Sequence, residues 1–292
     1  MKRSQFVVAL LSSLALAVVF PGVAAAGGWK RVWIDDFHGR AGSGVNRAVW
    51  KYDTGQGIFG TGEIETMTDS PANVHLDGRG NLQITALGHG QTWTSGRIQT
   101  ISSDFGAPAG GEMAVTASIR QPDPASGLGY WPAFWMLGPG DWPGTGEIDM
   151  LEDVNALSEH SATLHCGNLT DANPDGTLGP CHEFTGLSSG LLPCPGCQRT
   201  FHTYTAVVDR RHPGDEQIRW YLDGRQFFQV GEAQVGEPTW SAAVHHGYSI
   251  IFDLAMGGGY PDGVCGCTTP TGETTSGGTM TVRYVAVYTR RR

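Results

Sequence analysis

The sequence predicts an all-β protein, a sandwich or a barrel, and three observations carry that prediction. Short stretches of alternating apolar and polar residues recur along the chain, with Gly and Asp turns between them. Glycine supplies 43 of the 292 residues, which suits many strands joined by tight turns and disfavours helices. No long helical period occurs after the first 26 residues, and no internal repeat is present. The length is ample for one large core, and all-β sandwiches of this size are commonly single domains.

Met1 to Ala26 reads as a secretory signal peptide. Lys2 and Arg3 give the positive end, Phe6 to Phe20 is apolar apart from two serines, and Ala24-Ala25-Ala26 forms a small-residue cleavage site. The apolar run is short for a membrane span. Export to the extracellular space is the expectation. Removing this segment leaves 17 basic against 28 acidic residues, a net charge of −11. Such a surface makes nucleic acid and anionic membrane poor partners and disfavours strongly sulfated polymers, local patches aside.

Trp29 to Phe37 reads as the first strand, with Asp35 and Asp36 at its end. Trp50-Lys51-Tyr52 begins the next segment. Gly55 to Gly62 is a Gly-rich loop carrying Phe59, and no Lys-Ser/Thr follows to make it a phosphate cradle. Asn73 to Ala86 reads as a hairpin turning at Asp77-Gly78-Arg79-Gly80. Thr94 to Ile98 follows, and then Glu112 to Arg120 alternates as a strand. Ser161 to His165 is another, as are Phe201 to Asp209, Gln217 to Leu222, Arg225 to Val230, Ser249 to Leu254 and Thr279 to Tyr288. Gly257-Gly258-Gly259 is a turn. Residues 166–200, rich in Gly, Pro and Cys, read as a long insertion.

All six cysteines follow the signal segment, and an even count in an exported chain suggests disulfides. The expected pairs are Cys166 with Cys181, Cys194 with Cys197, and Cys265 with Cys267. Zinc at the C-x-x-C is the alternative, although neither a second C-x-x-C nor a paired His accompanies it.

The most informative stretch is Trp131 to Glu152, ending in Gly146-Glu147-Ile148-Asp149-Met150-Leu151-Glu152. Side chains alternate along a strand, so Glu147 and Asp149 share a face. Glu152, at an odd offset, belongs to the opposite face of a regular strand. One inserted residue near Met150 and Leu151, a β-bulge, restores the parity and puts all three carboxylates on one surface. A row of acids repels itself. Retaining glycosidases give it a use, because they need two carboxyl groups about 5–5.5 Å apart. Solubilising acids on an edge strand are the alternative. Trp131, Trp135 and Trp142 lie close by and offer flat faces of the kind that meet sugar rings.

WPAFWMLG, WP and GEIDMLE together resemble the active-site signature of glycoside hydrolase family 16, in its laminarinase-like branch with the bulged E-x-D-x-x-E motif. The likeness extends through TGEIETMT, NVHLDGRGNLQITA, TSGRIQT, FHTYTAVV, WYLDG, DLAMGGGYP and TVRYVAVYT, in that order. The resemblance implies a jelly roll of two curved antiparallel sheets with a concave substrate cleft, and makes residues 27–292 the catalytic domain. It implies Glu147 as nucleophile and Glu152 as acid/base, with Asp149 hydrogen-bonded to Glu147. It implies substrate contacts from Trp131, Trp142, Arg97, His165 and Glu63, and from Trp135, which is expected to be partly core. Relatives commonly carry an Asn shortly before the acid at Glu63, where this chain has Thr61 and Gly62.

The implied substrate is β-1,3-glucan, attacked internally. Mixed-linkage glucan and β-1,3-galactan are the alternatives, with a non-catalytic carbohydrate-binding protein behind them. The regular E-x-D-x-E spacing of lichenases is absent. No cofactor is expected, and the chain is expected to act as a monomer. Relatives often bind calcium on the convex side. Asp36 matches one of its ligands, but Arg283 stands where those relatives have Asp. No metal is therefore expected, and Arg283 is expected to contact an acid near the amino terminus.

Overall fold

The computed structural model describes residues 28–57, 60–90 and 92–291; the stretch Met1 to Ala26, read above as a signal peptide, and Phe59 lie outside the described residues. Two large antiparallel sheets form a sandwich with jelly-roll architecture. The outer sheet runs, edge to edge, Arg225–Gly231, Gln217–Leu222, His202–Asp209, Gly111–Arg120, Thr279–Arg291, Leu82–Thr85 and Val74–Leu76, with Lys30–Asp35 added along Thr279–Arg291. The inner sheet runs Leu187–Ser188, Glu159–His165, Glu147–Glu152, Tyr130–Leu137, Ser249–Met256, Arg97–Thr100 and Trp50–Tyr52. A small sheet built on Gly55–Gln56, Thr66–Met67, Thr92–Ser95 and Leu87–His89 lies beside them.

The core fills the space between the two large sheets. Phe134 and Phe252 stack with centroids 4.7 Å apart and planes 9° apart, and Trp50 and Phe37 pack around Phe252. Opposite them the outer sheet contributes Met113, Val115, Ile119, Tyr204, Val208, Trp220, Val285 and Val287, all essentially inaccessible. Period-2 patterning explains this division. Along Tyr130–Leu137, Phe134 and Met136 are buried in the core, while Trp131 and Trp135 are half-exposed.

The insertion is more ordered than its composition suggests. Leu187–Ser188 and Leu192–Pro193 pair with Glu159–His165 and cover that edge of the inner sheet. Three disulfides form as expected: Cys166–Cys181, Cys194–Cys197 and Cys265–Cys267. Three short helices, Glu232–Val235, Thr239–Val244 and Gly259–Cys265, have no counterpart in the sequence reading. Each is too brief for a 3.6-residue period to show. The first strand is shorter than read, at Lys30–Asp35, because the backbone turns at Phe37 with φ 51°. The last strand is longer and continues to Arg291.

Candidate active site

The bulge sits where parity requires it. Trp135 pairs with Asp149 and Phe134 with Leu151, so Met150 is passed over. On the other side Asp149 pairs with Thr163 and Glu152 with Ser161, leaving Met150 and Leu151 opposite a single residue. Both bulge residues, Met150 and Leu151, are buried. Glu147, Asp149 and Glu152 therefore share the face that carries Trp131 and Trp135.

Trp131 donates its indole N–H to Glu152 Oε1 at 3.0 Å. Tyr260 stands edge-on to the Trp131 ring at 5.7 Å and bonds Ser161 Oγ at 3.2 Å. Trp135 is not a core residue. It lies on the carboxylate face, donates to Asp253 Oδ1 at 2.7 Å and carries the Arg97 guanidinium 4.7 Å above its ring. Arg97 in turn donates from Nε to Asp53 at 3.2 Å and is 8% exposed, so it is fixed within the site. Trp142 is half-buried, 5.5 Å from the His165 ring, and stacks on Phe184 at 5.9 Å.

His165 links the acids. Nδ1 lies 2.6 Å from Glu183 Oε2, while Nε2 lies 3.6 Å from Asp149 Oδ2 and 3.9 Å from Glu147 Oε1. The expected hydrogen bond from Asp149 to Glu147 is not formed. Among the described residues Asp149 Oδ2 has no hydrogen-bond partner; it faces the imidazole instead, and the residue is 4% exposed. Glu63 is half-buried, its Oε2 accepting from the Thr61 N–H at 3.2 Å. Its neighbour Glu65 turns inward, 1% exposed, and accepts from the Met256 N–H at 2.8 Å.

Burial and mutual repulsion set the protonation. Burial pushes the Glu147 carboxyl up to about 7, with the His165 charge opposing and Glu152 reinforcing. Burial, with Glu147 and Glu152 adding to it, raises Asp149 well above the ordinary carboxylate range and favours its neutral form. Glu152 is raised by burial, against His165 and the Trp131 N–H. Burial opposes charge on His165, but the Glu183 hydrogen bond and the fields of Glu147 and Glu152 outweigh it and raise its pKa. Asp253 is pushed up to about 6 by burial, moderated by Arg97 and Trp135.

Glu147, Asp149 and His165 offer ligand atoms within 4.8 Å of one another, and so do Cys194, Cys197 and His202. The two cysteines are joined as a disulfide and present no thiolate. On the outer sheet Arg283 pairs with no acid among the described residues. Its guanidinium lies 4.0 Å over Phe201, and Asp36 pairs with His38 at 2.9 Å. Arg283 is the unpaired residue of a bulge, since Ser118 pairs with Tyr284 and Ile119 with Val282, and this turns it outward.

Sequence reasoning missed Glu183, Phe184, Asp253 and Tyr260 as members of the site. Asp253 had a signal, as the one acid in the apolar strand Ser249–Met256. Glu183 and Phe184 had none, since they lie in the insertion.

The model for the XgeA-like catalytic GH16 domain matches residues 112–179, which include all three motif carboxylates. An endo-1,3-beta-glucanase from Streptomyces sioyaensis is 43% identical in sequence and superposes with a TM-score of 0.85, covering 93% of this chain and 100% of that one. The chain belongs to glycoside hydrolase family 16. It is a glycoside hydrolase, and the family jelly roll accounts for its two sheets. The endo-beta-1,3-glucanase from Pyrococcus furiosus is 28% identical with a TM-score of 0.70 over 92% of this chain and 97% of its own. Glucan endo-1,3-beta-glucosidase A1 of Niallia circulans is 26% identical over 94% of this chain, and the chain spans only 40% of that relative's length.

Proposed function

We propose that this family 16 hydrolase is a secreted endo-1,3-β-glucanase that retains anomeric configuration. The bulge at Met150 and Leu151 is the observation that carries this reading. It gathers Glu147, Asp149 and Glu152 on one tryptophan-lined face, and both glutamates are present, as a non-catalytic binding protein would not require. The 43%-identical relative supports glucan as the substrate.

In the proposed reaction ionised Glu147 attacks the anomeric carbon while Glu152 protonates the leaving oxygen. The glycosidic bond breaks and a glycosyl ester forms. Water then attacks the anomeric carbon, giving its proton to Glu152; the bond from that carbon to the Glu147 oxygen breaks and the Glu147 carboxylate is restored. The order of roles follows the family motif. His165, its charge favoured by Glu183, stabilises the Glu147 anion from 3.9 Å. Neutral Asp149 keeps a third negative charge out of the site. Trp131 and Trp142 present ring faces to glucosyl units. The signal-like segment supports export, and the chain is taken to act as a monomer.

Reducing-sugar release and product size are measured on laminarin, barley glucan, agarose and galactan, with anomeric NMR of the first product. Rapid release of mixed oligosaccharides from laminarin as β-anomers is expected. No attack on laminarin, or α-anomers first, would overturn the reading. Amino-terminal sequencing of protein recovered from culture medium checks export; a start at Met1 would refute it.

A further inference from the structure

A pocket of about 370 Å³ opens on the outer sheet, the one that does not carry the catalytic strand. Arg31, Arg79, Arg283, Phe201, Tyr284 and Asp36 are among the residues that line it. Three guanidinium groups around one concavity are unexpected on a chain of net charge −9. Asp36 is the acid of this lining, and it pairs with His38 at 2.9 Å. Among the described residues none of the three arginines forms an ion pair or a side-chain hydrogen bond.

Arg283 is also held in place. The register shift opposite Ser118 and Ile119 turns it outward, and its guanidinium carbon lies 4.0 Å from the Phe201 ring centroid. Stacking uses the face of the guanidinium and leaves its in-plane N–H groups free to make a fork to an oxyanion. The volume exceeds that of a bare oxyanion and falls at the low end of the roughly 300–1,000 Å³ typical of small-molecule sites. Phe201 is covered by Arg283 and Arg120, and the lining tyrosines Tyr284 and Tyr288 add ring surface of the kind that packs against a sugar.

We infer that this pocket binds one carboxylate-bearing sugar residue of an acidic polysaccharide. The carboxylate meets Arg283, Arg79 and Arg31, and the ring lies along the aromatic wall. The site would tether the enzyme to an acidic polymer while the opposite sheet works on its substrate. It is independent of the glucanase reading and uses none of the cleft residues.

The test is native electrophoresis in gels with and without polygalacturonate, with calorimetric titration of glucuronate, glucose and inorganic phosphate. An acidic protein is repelled by an acidic matrix, so retardation reports a local site. The expected results are retardation, binding of glucuronate in preference to phosphate, and no binding of glucose. Arg79→Ala/Arg283→Ala should abolish retardation, and Arg283→Lys, which keeps the charge but loses the fork, should weaken glucuronate about ten-fold. All three arginines are exposed, so melting temperature and laminarin hydrolysis should be unchanged. Unretarded wild-type protein, or retardation that survives the double substitution, would overturn the site. Equal affinity for phosphate and glucuronate would overturn its assignment to a sugar.

Discussion

Trp220, a core residue of the outer sheet, donates its indole N–H to the main-chain carbonyl of Asp149 at 2.8 Å. Asp149 is the last paired residue before the bulge, so the opposite sheet braces the backbone where the inner ladder is broken. Trp220→Phe keeps most of the ring and leaves that buried carbonyl unpaired, at a cost of about 1–3 kcal/mol. Urea unfolding should show this loss, and kcat should fall more than KM changes as Asp149 and Glu152 shift. Full kcat in a destabilised variant would reduce the indole to a packing role.

Glu183 is expected to control His165. Removing its charge in Glu183→Gln should lower the imidazole pKa, followed by NMR titration. The folded-state pKa of His165 is raised above 6.5, so its contribution to stability is complete below that pH and is lost as pH rises through the raised value. The variant should lose part of that low-pH stability, by about 1.4 kcal/mol for each unit the pKa drops. An unmoved imidazole pKa would contradict this role.

The two glutamates are separable by product stereochemistry. Glu147→Ala with azide should give an inverted α-glycosyl azide, because azide enters the vacated space and attacks directly. Glu152→Ala, given an aryl glycoside with a good leaving group, should still form the covalent ester and release the β-glycosyl azide. The reverse pattern would exchange the roles of the two residues.

Phe184 is 68% exposed and stacked on Trp142. Phe184→Ala should raise KM on long glucans several-fold, in line with about 0.5–1.5 kcal/mol for an aromatic contact, with kcat unchanged. Trp142→Ala should also lower kcat, since that ring packs against His165. Identical effects from both substitutions would remove the distinction between rim and centre.

Glu65 offers a test of linkage. Burial pushes its carboxyl up to about 8, from 4.5. Its favourable contribution is complete below pH 4.5 and is lost as pH rises through about 8, where the buried group must ionise. Glu65→Gln keeps an acceptor for the Met256 N–H without that penalty. Its stability relative to wild type should therefore grow by a few kcal/mol between those limits. Parallel pH profiles of melting temperature would sink the prediction.

The features legible in the sequence are those set by local geometry. Strand alternation separates Phe134 from Trp135 whatever surrounds them, and the odd offset of Glu152 demands a bulge because side-chain parity is a property of one strand. The disulfide partners lie at most 15 residues apart, near enough in the chain for proximity to suggest them. What tertiary structure decided depends on contacts between distant segments. Trp220 meets Asp149 only because two sheets stack, and Arg97 covers Trp135 only because Ser249–Met256 lies between their strands in register. Glu183 reaches His165 when the Cys166–Cys181 bridge folds the insertion back over the inner sheet. Arg283 chose an aromatic ring over an acid because a bulge turned it outward, toward Phe201 on a separate strand connection. Periodicity fixes the face of a residue; its partner follows from sheet packing and register, which no short stretch of sequence encodes.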